Sequence, residues 1–536
     1  MKTILNNIST KLLGSSLGLL LGAGVTLCVT SSCSDWLAVE PGDSQVAESY
    51  WSSKADVDNM LMGGYSYLRS TTESYLIPYG EVRAGLVYHR SASKLQQLNI
   101  VSTLSLTNWS SFYKIVNVAN VVLNNAHKVQ KEDPTYTDPE LNSHLCEAYF
   151  LRALAYFYLV RNWRDVPIVT EGVEDDSKPF LYAKSPEADV IAQIKSDIRT
   201  ALATGAAKEE YETTWETKGR ATKWALNALM ADVCLWSGDY QDCIDYCEGV
   251  LGSQSTKAPR LLTDSSRSTW YSMFNPGNSK ESIFEIQWNY EEDQTNNLCT
   301  LFRKYGAGST NTSDNYRVSP VLLEKFAAEY DYCNEEKVAA GEESSTDGIR
   351  TLYSSVVPNS AFATGVTSDW GYVYKYSGML VGHTERSAEE YDPNYIIYRC
   401  AELYLMEAEA YAMLDNYEKA VELINVIRTR AAAEPKELTG SESQVDILQM
   451  ILDERFLEFV GEGKAWYDLL RMGRRSSTYR KELLIQNVID YSVGGTNLKE
   501  TTIKNILNDD GLCFLPIYAS ELEHDSLLVQ NPSYKQ

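Results

Sequence analysis

Histidine is scarce in this chain, at five residues in 536. None stands at a metal-ligand spacing, which argues against a metallohydrolase. The sequence also lacks the HExxH of zinc proteases, the GxSxG of serine hydrolases and a glycine-rich phosphate loop. Positive charge is in deficit: 48 Lys and Arg stand against 73 Asp and Glu, for a net charge of -25. Such a chain repels phosphates and anionic lipid headgroups, so no nucleic-acid or polybasic membrane binding is expected. Long apolar runs are missing after the amino terminus. What is abundant is apolar content, at 44%, and aromatic residues, with 36 Tyr and 11 Trp. The first supplies a sizeable core. The second supplies flat amphipathic rings suited to sugar or peptide surfaces.

The amino terminus carries Lys2 and Lys11 and then an uncharged run of apolar and small residues over 12–29. This reads as a secretory signal. The competing reading is a retained anchor, because 18 such residues nearly span a bilayer. Ser31-Ser32-Cys33 resembles the end of a lipoprotein signal, in which a small residue precedes an acylated cysteine. Cys28 is the alternative, but Leu27 before it is too large. Residues 1–32 are thus a signal, 33–255 an N-terminal region and 256–536 a C-terminal region.

Helical periodicity marks 47–69, 109–129, 147–167 and 185–203. In 219–251, Ala231 precedes Tyr240 by nine residues, and Cys243 and Cys247 follow Tyr240 by three and seven. In 395–431, Ala408, Tyr417, Ala420 and Ile424 repeat that spacing at an offset of 177. This is the helix-turn-helix pattern of a tetratricopeptide repeat. It assigns Cys243 and Cys247 to core positions, against their reading as a metal pair. With Cys33 acylated and Cys28 removed, the other cysteines read as small buried hydrophobes, with no structural metal and no obligatory disulfide.

Elsewhere the helical period fades. Residues 282–288 alternate as a strand. Around them, on polar irregular segments, lie Trp270, Trp288, Tyr290 and Tyr305, and further on Trp370 and Tyr372. Alternation places Tyr372, Tyr374 and Tyr376 on one strand face. Rings on polar segments are harder to explain as core than rings on helices, so these are candidate ligand contacts. The irregular segments 70–108, 256–320 and 340–394 are expected on one side of the scaffold.

The strongest pattern is 451–474, ILDERFLEFVGEGKAWYDLLRMGR. Ile451, Leu452, Phe456 and Phe459 form an apolar helical face, and Glu454, Arg455 and Glu458 sit on or beside it. Buried charges persist only when paired, so an internal ion-pair network is expected, with Arg399, Glu402, Glu407 and Glu409 as further members. Gly461 and Gly463 end the helix. The stretch resembles the ER-x-x-E-F-x-x-E-G-x-x-W-x-D-L-x-R-x-G signature of the SusD/RagB family. The 148–160 and 399–410 helices and the PIYASE and QNPSY segments of the tail resemble that family too. So does GEVRAG at 80–85, where Gly85 replaces an Asp.

The resemblance implies a mainly α fold: a tetratricopeptide-like scaffold, a loop-rich ligand-binding half and a few short strands. It implies an outer-membrane lipoprotein anchored through Cys33 and facing outward, which captures glycan or peptide for a SusC-like TonB-dependent transporter. It implies no catalysis and no cofactor, and adds Arg83, Tyr88 and His89 as candidate ligand contacts. The residues of the 451–474 motif itself read as structural. A secreted glycosidase or peptidase and a purely structural scaffold are the competing classes.

Overall fold

The repeat spacing becomes two helical hairpins through local turn chemistry. A computed structural model describes residues 50–89, 93–174, 180–264, 266–302, 316–339, 350, 355–358, 371–376, 392–474, 478–492 and 498–534. Its first helices are α1 (Lys54–Thr71), α2 (Ser110–Glu132), α3 (Asp138–Trp163), α4 (Glu187–Ala203), α5 (Thr214–Gly219), α6 (Lys223–Ser237) and α7 (Tyr240–Leu251). After these come α8 (Arg267–Phe274), α9 (Asn297–Phe302), α10 (Pro320–Ala339), α11 (Cys400–Met413) and α12 (Tyr417–Arg430). The chain ends with α13 (Gln444–Phe459), α14 (Ala465–Gly473), α15 (Thr478–Ser492), α16 (Glu500–Leu507) and α17 (Ala519–His524).

Gly238 adopts φ +86° at the end of α6 and turns the chain into α7. Asp415, at φ +59°, does the same after α11, and the Asn416 side chain caps α12 by accepting from the Lys419 N–H. Ala231, Cys243, Cys247, Ala408, Ala420 and Ile424 are all fully enclosed, as small and apolar repeat positions require. The two hairpins are far apart in sequence but adjacent in space: α7 packs directly on α11. In the N-terminal region, α1, α2, α3 and α4 stack in chain order, and Arg152 of α3 makes a paired contact with Asp197 of α4. Cys146, Cys234, Cys243, Cys247, Cys299, Cys400 and Cys513 are free, buried thiols.

The three irregular segments meet in one antiparallel sheet. Its strands are β1 (Val87–His89), β3 (Tyr316–Val318), β4 (Val356–Pro358) and β5 (Gly371–Val373), in the order β1-β3-β5-β4. Val87 pairs with Val318, Val318 with Gly371 and Val357 with Tyr372. A second pair joins β2 (Ser282–Ile286) to β6 (Tyr395–Arg399), antiparallel. This corrects the helix-turn-helix reading of 395–431, whose first five residues are strand. Tyr395, Ile396, Ile397 and Tyr398 are β-branched or aromatic and buried on both faces against β2 and its surroundings.

The 451–474 motif lies at the centre. Gly461 and Gly463, at φ +81° and +72°, turn the chain between α13 and α14. A side chain at Gly80 would overlap the Gly463 carbonyl, with Cβ 1.8 Å from its oxygen, so only glycine permits that contact. The Gly463 N–H donates to the Glu81 carboxyl at 2.9 Å. Arg83 lies 4.2 Å over the Trp466 ring and donates to the Cys513 carbonyl at 2.5 Å. GEVRAG and the motif therefore clasp each other.

The expected ion-pair network exists and is larger than the sequence suggested. Glu458 faces Arg350, Arg399 and Arg430. Glu462 faces Arg399 and Lys375, and Glu454 faces Arg350 and Arg428. Arg455 joins Asp468 and Glu402, and Arg471 joins Asp468 and Glu409. These cations hold the Glu458 carboxyl well below the usual range, and lower that of Glu462, despite the burial that opposes both shifts. Glu407 is the exception. Both its carboxyl oxygens lack a hydrogen-bond partner in the described structure, and burial with the neighbouring Glu248 pushes it up to about 8.

Among the described residues no helix is long and apolar enough to cross a membrane. The apolar run 12–29 and Cys33 lie outside them.

Candidate functional site

An open cleft of about 690 Å³ lies where α1, α5 and the ends of β2 and β6 converge. One wall is α5, a helix of six residues started by a capping box between Thr213 and Glu216. Its second residue, Trp215, is 54% exposed and lines the cleft. Lys218 anchors the helix by donating to the Ser282 carbonyl at 2.5 Å. Gly219 ends it where a Cβ would lie 2.6 Å from Gln287.

The floor follows from β2. Past Ile286 the chain presents Gln287, Trp288 and Asn289. Asn394, one residue before β6, fixes them: its side chain accepts from the Trp288 N–H at 3.3 Å and donates to Gln287 and Glu285, each at 2.8 Å. Gln287 donates on to Asn278 at 2.9 Å. Gly277, at φ +88°, keeps the chain tight against Glu285, which accepts from the Asn278 N–H. Burial raises the Glu285 carboxyl above its usual range, while these hydrogen bonds oppose the shift. On the far wall the Gln294 carbonyl oxygen accepts from Arg69 at 2.6 Å and from the Asn289 N–H at 3.3 Å.

The cleft thus gathers five carboxamides, Asn278, Gln287, Asn289, Gln294 and Asn394, with two indoles. Each carboxamide donates and accepts, which suits hydroxyl groups that do both. The indoles offer apolar faces. A larger cleft of about 790 Å³ beside α4 and α14 differs in kind. Its cations are already paired, Arg474 with Glu187, Lys195 with Asp239 and Arg164 with Asp165.

Of the residues singled out from the sequence, Trp288 lines the carboxamide cleft and is 7% exposed. Tyr290 stands next to it, half-buried, its N–H donating to Asp392 at 3.0 Å. Trp270 is enclosed at 1% exposure, with Lys375, Arg399 and Arg430 between 5.1 and 5.7 Å from its ring. Arg83 is enclosed as described above, and burial lowers its pKa. Tyr88 and His89 stand on β1, Tyr88 buried and His89 edge-on to Tyr316. Tyr372 is buried on β5. Enclosed in this way, Arg83, Tyr88, Trp270 and Tyr372 present little or no surface to a ligand. Sheet formation and the ion-pair network draw them inward. Tyr305, Trp370 and Cys33 lie outside the described residues.

Sequence reasoning missed Trp215, Arg69 and the carboxamides. A signal existed: the run QWNYEEDQTNN over 287–297 concentrates amides around one indole.

The sequence profile of the SusD family matches residues 325–534. A second profile, described as starch-binding associating with outer membrane, matches 35–235. SusD-like protein P38 of Formosa agariphila is 25% identical, over 84% of this chain and 90% of its own. A SusD superfamily crystal structure from Bacteroides vulgatus superposes with a TM-score of 0.70 at 21% identity, covering 90% of this chain and 99% of that one. A laminarin binding SusD-like protein superposes with a TM-score of 0.64 at 21% identity, covering 90% and 100%.

Proposed function

The chain belongs to the SusD/RagB family, and from that premise we propose that it is a cell-surface lipoprotein that captures glycan and passes it, uncleaved, to a SusC-like TonB-dependent transporter. The observation that carries the glycan reading is the lining of the cleft between α1, α5, β2 and β6. Its carboxamides offer hydrogen bonds to hydroxyls, and the exposed Trp215 offers stacking to the C–H face of a sugar ring above a floor that the buried Trp288 closes. A peptide ligand would instead pair its backbone along a strand edge or place side chains in apolar pockets, the alternative that the peptide arm of the titration below tests.

Capture without hydrolysis agrees with the two carboxylates of the cleft. A glycosidase needs one carboxyl sheltered so that it stays protonated as the general acid. Glu292 is exposed and one oxygen of Asp392 is tied to the Tyr290 N–H.

Attachment rests on Cys33. Replacing Cys33 by Ala should release soluble protein from membranes of expressing cells, and retention of that variant would favour the apolar run 12–29 as the anchor. For the ligand, the purified protein is titrated against a panel of oligosaccharides, laminarin fragments included, and against a peptide library. Retention of one or more glycans, with no shortened products after prolonged incubation, is the expected result. Binding confined to peptides would replace the glycan reading, and bond cleavage would replace the capture reading.

A further inference from the structure

Charge in the cleft is arranged against anions. Arg69 and Arg220 supply its positive charge. Arg220 is neutralised by Glu147, at 2.8 Å, and by Asp58, at 2.5 Å. Arg69 is engaged by the Gln294 carboxamide. The negative side is less compensated. Glu292 and Asp392 also line the cleft, and among the described residues neither has a cationic partner. Asp392 uses one carboxylate oxygen on the Tyr290 N–H, and Glu292 stands exposed two residues from Gln294. A carboxylate oxygen without a cation accepts hydroxyl protons and repels another carboxylate or a sulfate.

We infer that this cleft takes uncharged, hydroxyl-rich glycan and discriminates against uronate-bearing or sulfated chains. The inference rests on the glycan reading above and narrows it. Arg69 is the group that would argue otherwise, since a planar guanidinium suits an anion. Its Nη1 is already committed to Gln294, however, and an anion reaching its remaining donors would approach the same turn that carries Glu292. In the inferred mode Arg69 donates to sugar hydroxyls, and Glu292 and Asp392 accept from them, while the exposed Trp215 receives a ring face and Trp288 closes the floor. The chain's net charge of -25 adds a long-range repulsion of the same sign.

The test titrates neutral glucan, mannan and xylan oligosaccharides against uronate-bearing and sulfated ones of matched length, at low and high salt. Neutral ligands should bind roughly tenfold or more tightly than acidic ones at low salt, and the gap should narrow as salt screens the cleft. The double variant Glu292→Gln with Asp392→Asn should narrow the gap at low salt. A control that removes the same charge elsewhere, Glu418→Gln with Glu523→Gln, should leave it in place. Acidic glycans that bind as well as or better than neutral ones overturn the inference and leave glycan capture standing. A control that closes the gap as fully as the cleft variant also overturns it, because the preference would then belong to overall charge. If neither class binds while peptides do, the glycan reading fails and this inference with it.

Discussion

Trp270 and Trp288 come from one aromatic, polar stretch that reads as irregular in the sequence, yet Trp270 folds into helix α8 and the surroundings of the two rings are opposite. Trp270 sits among Lys375, Arg399 and Arg430, inside the charge network organised by Glu458 and Glu462. Trp288 borders an open cleft of carboxamides whose hydrogen bonds run from Asn278 through Gln287 to Asn394. The comparison teaches that a ring on an irregular segment is not a ligand contact by virtue of its segment. What distinguishes the two is the neighbouring polar chemistry. Cations beside paired carboxylates mark an interior that is electrically closed. Carboxamides lining an open cleft mark a surface that is open to a partner.

The largest expected effect breaks the closed side. Glu458→Ala removes the partner shared by Arg350, Arg399 and Arg430 and leaves buried cations uncompensated. Breaking buried pairs in this way costs about 3–5 kcal/mol, so the variant should lose most of its cooperative unfolding transition in urea or fail to accumulate. Trp270→Ala should come next, with a loss of about 3–5 kcal/mol from the vacated core volume. Its remaining folded fraction should bind glycan as the parent does. If Trp270→Ala instead kept stability and lost binding, the two tryptophans would have been assigned the wrong way round.

On the open side, Trp215→Ala should weaken binding severalfold, in line with about 0.5–1.5 kcal/mol per aromatic contact beyond area burial. Trp288→Ala should weaken binding too, by loosening the cleft floor, and should also lower stability because that ring is buried. Trp215→Ala should leave the unfolding midpoint within error, because its ring is largely exposed. Calorimetric titration and urea melts on the same samples separate the two readouts.

The smallest effect concerns pH. Burial pushes the Glu81 carboxyl up to about 8 from 4.5, with Lys375 opposing the shift and Glu462 adding to it. The folded protein therefore keeps a proton that the unfolded chain releases near pH 4.5. The stability this supplies is complete below that value and is lost as pH rises through 8. Glu407 shifts in the same direction. Stability should fall between pH 5 and 8, and Glu81→Gln should flatten that fall. An unchanged slope in urea melts at the two pH values would show that Glu81 is ionised in the folded state.

The helical scaffold was legible in the sequence because it rests on local rules. The Ala231–Tyr240 and Ala408–Tyr417 spacings, and the glycines at 461 and 463, report short-range geometry, and the structure places all of them as read. Tyr395–Arg399 was misread as helix because its partner strand, β2, lies more than a hundred residues earlier in the sequence. The candidate site was legible only in part for the same reason. Trp288 stands in an amide-rich run and could be picked out. Trp215 meets it only after α5 docks against β2, and Asn394 and Gln287 meet only through β2–β6 pairing. Arg83 was singled out by the family's pattern, and its stacking on Trp466 follows from a contact between segments hundreds of residues apart.

The central claim is that the carboxamide and tryptophan cleft holds the ligand. It is tested most directly by calorimetric titration of the Trp215→Ala, Trp288→Ala double variant with a neutral oligosaccharide that the parent protein binds. Affinity should fall by about tenfold or more with the circular dichroism spectrum close to the parent's, while the urea midpoint drops because Trp288 is 7% exposed. The Trp215→Ala single variant should lose affinity with its midpoint unchanged. Unchanged affinity in a folded double variant would contradict the claim and move the site elsewhere on the molecule.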